Sequence, residues 1–461
     1  MKRTAMFLTV LFTFGLLSGP AQAQELTLDD CIELALKNRA SIIRARGTES
    51  QASAQKLAAL GAFLPRISGS YSYSKGKETN IEPPNTSGSD YAYVFDTIVV
   101  GSDTAIDASQ VPTSFATVDE QDIGPSKSWS ASASMSVIDL PNWFNLASAS
   151  AAKASAQLNV LASEQDLIYS VKISYYAYLA SVENVSVQEE AAKRAEEQLK
   201  LIQSRFDLGS ASKSDVLKQK VLFGNDQLGL LRAANAVTNA KAGLAYTIGL
   251  DPREDHQFAT DYRVREYSGT LNDAISFGLK SNPGLLAQEK AFDEARHSVK
   301  AAVSGYLPYL SVSASYRKFN GTQAYPVSFD YSSNSYSYGF SINWNIFDGF
   351  FREQQVTSAK VYRNNARAEL ADTRNLTVSN IKTGYLDIDQ LKEQKQVSQE
   401  NVAAAEEDLK ITQEKYNLGA ATILDLLDAQ VSLKEAQVAL IQVDFDLNLA
   451  IAKLENAMGK M

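Results

Sequence analysis

The sequence predicts a mainly helical chain with a small membrane β-element. It is laid out as an internal duplication in which each half runs helix, strand, strand, long helix, helix. Three observations carry this reading. The chain matches itself at two fixed offsets. Four short segments alternate serine with apolar residues at the period of a strand. Two long stretches, 142–207 and 351–417, contain no proline and follow a helical pattern.

Composition sets the outer limits. Of 461 residues, 45% are apolar and 21% charged, so the chain is no disordered polyelectrolyte. With 44 Lys+Arg against 53 Asp+Glu the net charge is −9, which lacks the basic footprint of a nucleic-acid binder. Two histidines, His256 and His297, and one cysteine, Cys31, leave no set for a zinc cluster, a Cys-His nucleophile or an internal disulfide. No Gly-rich phosphate loop or nucleophile-base pair is present either. The expectation is a protein without enzymatic chemistry, cofactor or metal. Cys31, beside Ile32 and Leu34, reads as buried and inert.

At the N-terminus, Lys2 and Arg3 precede an apolar run from Ala5 to Leu17. Ser18-Gly19-Pro20 and Ala21-Gln22-Ala23 follow. Residues 1–23 therefore read as a secretory signal peptide. The run is shorter than the ~20 residues a spanning helix needs. Nothing later in the chain is long and apolar enough for one, so membrane contact must come from strands.

The first repeat spans 24–249 and the second 270–461, joined by a polar linker over 250–269. Leu28 to Tyr73 matches Leu271 to Tyr316 at a shift of 243, and Phe63-Leu64-Pro65 falls on Tyr306-Leu307-Pro308. Beyond the strands the shift is 210: Arg205-Phe206-Asp207-Leu208-Gly209 falls on Lys415-Tyr416-Asn417-Leu418-Gly419, and Asp215 on Asp425. The first half carries 33 extra residues, mostly between Gly76 and Lys127.

Each opening helix, about 27–62 and 270–305, starts at a capping threonine and stops before a proline. The strands follow at about 64–75, 128–138, 307–317 and 335–346. Ile67, Gly69, Tyr71 and Tyr73 alternate with Ser68, Ser70, Ser72 and Ser74, and the other three segments behave alike. One apolar and one small, hydroxylated face suits a barrel with lipid outside and water inside, rather than a half-exposed sheet on a soluble core. Four strands cannot close a barrel, so either two or three chains must share one.

The segment from Gly76 to Lys127 holds nine acids, and an apolar island at Tyr91–Val100. A solvated surface loop is its plainest reading, with an added hairpin or a lid as alternatives. Each long helix, about 142–207 and 351–417, makes a rod of roughly 100 Å. After tip turns at 208–215 and 418–425 the chain returns. Leu426, Leu433, Leu440, Leu447 and Leu454 recur every seven residues, with alanines and Val443 three behind. Val216, Phe223, Leu230, Val237 and Leu244 repeat the seam. A second stripe (Leu427, Val431, Val438, Ile441, Phe445) gives this helix two neighbours, as in a hollow ring of helices.

Leu418-Gly419, Asp425 six residues on, then Leu426-Leu427-Asp428-Ala429-Gln430, with Leu208-Gly209 and Asp215 as their duplicate, resemble the periplasmic hairpins of the TolC-type outer-membrane efflux protein family. The resemblance covers essentially the whole mature chain. It implies a homotrimer in which a twelve-stranded β-barrel in outer-membrane lipid continues into a twelve-helix α-barrel, with 250–269 in an equatorial belt. It also implies an exit duct in a Gram-negative outer membrane, working with a periplasmic adaptor (a membrane fusion protein) and an inner-membrane transporter. A periplasmic coiled-coil scaffold or adaptor is the alternative. By resemblance, Asp425 and Asp428 narrow the closed pore, Tyr416 and Asp215 make gate contacts, and the turns at Leu208, Gly209, Leu418 and Gly419 face the adaptor. One departure is plain: Ala421 stands where the family carries a gate arginine. Lys213, Lys415 and Arg205 are the basic residues near enough to replace it.

Overall fold

A computed structural model describes residues 25–82, 91–100, 103–112, 117–260, 265–323 and 329–460. The expected signal peptide lies outside the described residues. In chain order the elements are α1 (Leu28–Asn38), α2 (Ala40–Gly61), β1 (Arg66–Glu82), β2 (Tyr91–Val100), β3 (Asp103–Pro112), β4 (Thr117–Ile138), α3 (Leu140–Asp207) and α4 (Lys213–Ile248). They continue with α5 (Leu271–Ser281), α6 (Pro283–Ser304), β5 (Tyr309–Gln323), β6 (Phe329–Asn343), α7 (Phe351–Asn417) and α8 (Ile423–Met458). The chain forms two compact units that cut across both repeats.

The helical unit holds the chain through Gln55, then Ser148–Arg296, then Val361 onward. In it α1 packs on α4, α5 on α8, and α4 on α8. The heptad seam is buried where it meets neighbours: Leu426, Leu433, Leu447 and Leu454 are all at or below 5% exposure. Phe445 of the second stripe joins a separate cluster with Val171, Tyr175, Leu244 and Ile248. Two seams on one helix thus serve two sets of neighbours.

The opening helices depart from expectation, because each is broken in two. Arg39 (ψ 130°) separates α1 from α2, and Asn282 (ψ 115°) separates α5 from α6. At Asn282 the following Pro283 disfavours helical backbone. At both breaks a left-handed glycine ends a neighbouring helix close by. A Cβ on Gly249 would meet the Asn38 Cβ at 3.0 Å, and one on Gly459 would meet the Ser281 carbonyl oxygen at 2.7 Å. The Asn282 side chain fastens its break by accepting from Leu285 N at 2.9 Å and donating to the Ala457 carbonyl at 3.0 Å.

The linker is tied down by buried polar groups. Arg265 grips Glu455 through both terminal nitrogens at 2.8 and 2.7 Å, and Lys172 joins the same carboxylate at 3.3 Å. The Asn448 amide oxygen accepts from Arg265 N at 2.9 Å. Upstream, Leu26 and Phe258 form a parallel bridge, and the Tyr178 hydroxyl donates to the Phe258 carbonyl.

The second unit, Lys56–Ala147 with His297–Lys360, contains an antiparallel sheet in the order β1-β4-β5-β6. The register sets serine opposite serine. Ser68–Ser132, Ser70–Ser130, Ser72–Ser128 and Ser74–Ser126 are joined by hydroxyl hydrogen bonds of 2.7–2.9 Å, as are Ser311–Ser341 and Ser315–Ser337. The opposite face carries exposed Ile67, Tyr71, Trp129, Tyr336 and Tyr338. β1 and β4 run beyond their expected spans, to Glu82 and from Thr117, so the acidic segment is strand at both ends. Between them β2 and β3 pair as a hairpin, which replaces the plain surface loop. β6 ends at Asn343 rather than 346, and the Trp344 indole N–H instead donates to the Tyr306 carbonyl at 3.1 Å.

Candidate functional site: the helical tips

Each long helix ends by the same chemistry. Gly209 and Gly419 adopt φ of 76° and 74°. The next amide donates back to a carbonyl of the last turn: Ser210 N to Arg205 O at 2.8 Å, and Ala420 N to Lys415 O at 2.8 Å. The glycine amides donate to Phe206 and Tyr416. This left-handed stop satisfies carbonyls that the helix end would leave bare. Nothing lies within 4 Å of either glycine's missing Cβ, so these glycines answer to backbone geometry and not to crowding. Beside them Leu208 and Leu418 are each 84% exposed.

The returning helices begin with matching capping boxes. Ser212 and Asp215 exchange hydrogen bonds of 3.1 Å in both directions. Asp425 accepts from the Thr422 amide and hydroxyl, both at 2.8 Å, and donates its own amide to Thr422 Oγ1. The hydrogen bonds from Thr422, the amide's foremost, hold the Asp425 carboxyl below its ordinary range. Asp425 and Asp428 are both exposed, three residues apart on the first turns of α8. Asp425 therefore caps its helix and presents charge at once.

Tyr416 is half-buried against Ile202, Ile423 and Leu426. Burial raises its phenol pKa, the negative Asp215 adds to the rise, and Arg205 opposes it. No hydrogen bond joins Tyr416 to Asp215 among the described residues; the Asp215 carboxylate is taken by Ser212. Arg205 lies over the Tyr416 ring, 5.3 Å from its centroid, and donates to the Asn417 amide oxygen at 2.9 Å. It thereby links the ends of α3 and α7. Lys213 and Lys415 make no ion pair among the described residues. Sequence spacing ranks these three cations equally; Arg205 is the one that bonds across the two helix ends among the described residues. Deeper in the unit, the Lys434 ammonium meets the buried Asp226 carboxylate at 2.7 Å and fastens α8 to α4.

His256 Nε2 donates to the Asp251 carbonyl oxygen, 3.1 Å away, in the linker. Cys31 is fully buried, and burial pushes its thiol up to about 12. No group of three or more His, Cys, Asp or Glu residues among the described residues is placed to hold a metal.

A sheet greasy on one face and hydroxylated on the other, joined by sequence to helices of 68 and 67 residues with duplicated capped tips, fits the class of outer-membrane efflux proteins. Residues 31–250 and 274–460 match the outer membrane efflux protein family, and the chain belongs to it. It is an outer-membrane protein. It is 23% identical to the outer membrane efflux protein BepC of Brucella suis, over 98% of this chain and 89% of that one. It is also 23% identical to the outer membrane protein TolC of Vibrio cholerae, over 69% and 74% of the two chains. Among solved structures the Campylobacter jejuni CmeC outer membrane channel superposes with a TM-score of 0.76 at 18% identity, covering 94% of this chain and 85% of that one.

Proposed function

We propose that three copies of this chain close a twelve-stranded barrel and a twelve-helix tunnel, and that the assembly is the exit duct of an export machine. The single observation that carries this is the sheet with β1 and β6 unpaired at its two edges and one face greasy. Lipid tolerates no open sheet edge, so the edges must find one another across copies. Three sheets of four strands leave room for water, which two do not. The serine face then lines the lumen. A scaffold without a pore would leave the apolar face with no matching solvent.

The tips do the gating in this reading. Asp425 and Asp428 from three copies bring six carboxylates to one constriction, which attracts cations and repels anions. Arg205 does the work of the arginine missing at Ala421. It holds the end of α3 to the end of α7 through Tyr416 and Asn417, while Asp215 adds its charge beside the ring. The exposed turns at Leu208-Gly209 and Leu418-Gly419 meet a periplasmic adaptor, which connects the duct to an inner-membrane transporter that supplies the energy.

Planar-bilayer recording of the purified protein tests this. Single channels from a three-copy species should prefer cations, and D425A/D428A should lose most of that preference while conductance persists. A stable single subunit without current sinks the proposal. Unchanged selectivity in the double variant removes the carboxylate ring.

A further inference from the structure

The apolar face of the sheet changes character toward the strand ends remote from the helices. There Tyr71, Trp129 and Lys318 stand in one row, and Tyr73 and Lys127 in the next. Trp129 is paired with Lys318, and Lys127 with Asn320, so the two lysines are diagonal neighbours on one face. Such neighbours lie about 7–8 Å apart at their Cα atoms, within reach of one another's long side chains. Both lysines are exposed and make no ion pair among the described residues. Among the described residues the next acid on this face is Asp330, two positions beyond Ser332; it lines one hollow with Lys127 and accepts from the Thr322 hydroxyl at 2.6 Å. Two ammonium groups therefore share a ledge of aromatic rings with no ion-pair partner among the described residues.

The height of the ledge fits a headgroup layer. At the other end of the strands, Trp344 is 61% exposed and fixed to the Tyr306 carbonyl. Asn334, in the row of Lys318, lies ten residues before it. Ten residues at ~3.3 Å, tilted ~45°, rise about 23 Å, close to the ~25 Å apolar band of a membrane barrel. Trp344 then sits at one interface, and Trp129 with the lysines at the other. Directly beyond this row the β1 register is irregular between Ser74 and Gly76.

We propose that Lys127 and Lys318 form a docking site for the phosphate of an anionic lipid headgroup in the leaflet remote from the helices, with Trp129, Tyr71 and Tyr73 seating its acyl-chain boundary. The site rests on the barrel reading, since only that places this face in lipid. The lysine stems lie along the rings while their charged ends reach the phosphate plane.

Native mass spectrometry of the detergent-solubilised full chain tests it, with bis-phosphorylated lipid A and its phosphate-free form as probes. Wild type should retain the phosphorylated lipid and not the phosphate-free one. K127Q and K318Q should each lose about fivefold in retention, and the double variant roughly twentyfold to thirtyfold, the attraction basic side chains feel at an anionic surface. K127R/K318R should keep binding. Equal retention by wild type and K127Q/K318Q overturns the site, as does loss in the arginine variant. Liposome insertion and bilayer current, read on the same preparations, separate this from the channel reading. A wild-type protein that inserts and conducts while showing no lysine-dependent retention overturns only the lipid site.

Discussion

Among the described residues four glycines with left-handed backbone end helices, and the cost of alanine there should depend on what surrounds each. At Gly209 and Gly419 no atom lies within 4 Å of the added Cβ, so only the conformational strain of φ near 75° remains. That is roughly 1–2 kcal/mol. At Gly459 the same strain applies (φ 76°), but the Cβ would also lie 2.7 Å from the Ser281 carbonyl oxygen and 2.8 Å from the Asn282 Cα. Both are backbone atoms at the junction of α5 and α6, and neither can swing aside. Overpacking of this kind adds about 1–3 kcal/mol, for a total near 2–5 kcal/mol. Gly249, whose nearest neighbour is the Asn38 Cβ at 3.0 Å, should fall between. A chain of 461 residues unfolding at about 2.1 cal/mol/K per residue loses about 1 °C for each kcal/mol. Gly209→Ala and Gly419→Ala should therefore lower the thermal midpoint by about 1–2 °C, and Gly459→Ala by about 2–5 °C. Circular dichroism in detergent at one scan rate reads the midpoints. Amide exchange should quicken in α5 only for the Gly459 variant. Equal shifts at Gly209 and Gly459, with α5 undisturbed in both, would refute the reasoning.

Other residues give equally direct tests. Glu455→Gln leaves Lys172 with no carboxylate partner at a site where Lys172 and Glu455 side chains are each 11% exposed, and should cost about 3 kcal/mol by denaturant melting. Glu196→Gln, which breaks only the surface pair with Lys200, should change stability by less than about 0.5 kcal/mol; comparable losses would count against a buried network at the linker. Cys31 has its thiol pushed up to about 12 by burial, with the Asp30 charge adding to the rise. A raised thiol pKa keeps the reactive thiolate scarce until the pH nears it, so iodoacetamide at pH 8.5 should label the denatured chain and leave the folded one untouched. Rapid labelling of the folded chain would contradict that burial.

Much of the architecture is legible because it rests on local chemistry repeated twice. Period-two serine marks the strands, and the unbroken helical stretch over 351–417 coincides with α7. The tip turns are written as Leu-Gly followed by Ser212 or Thr422 and an aspartate three residues on. The break at Asn282 carries a local sign in Pro283, whereas Arg39 carries none. What lies beside it is Gly249, close against Asn38, a fact of tertiary placement. The acidic segment shows its apolar island, yet the pairing of β2 with β3 depends on a register that alternation alone does not fix. At the tip, Arg205 stands out from Lys213 and Lys415 only once the ends of α3 and α7 are brought together. The Lys172–Glu455 contact joins residues 283 apart in sequence, beyond any local pattern.

The bare rims of the sheet at β1 and β6 also bear on how the cell must make this protein. A newly exported chain carries a wet-dry sheet that water and lipid both reject, one for its grease and the other for its unsatisfied amides. In the proposed assembly its journey has a dangerous interval that ends when the rims of separate copies meet. Escorts that hide such rims until then would set how fast the proposed ducts accumulate.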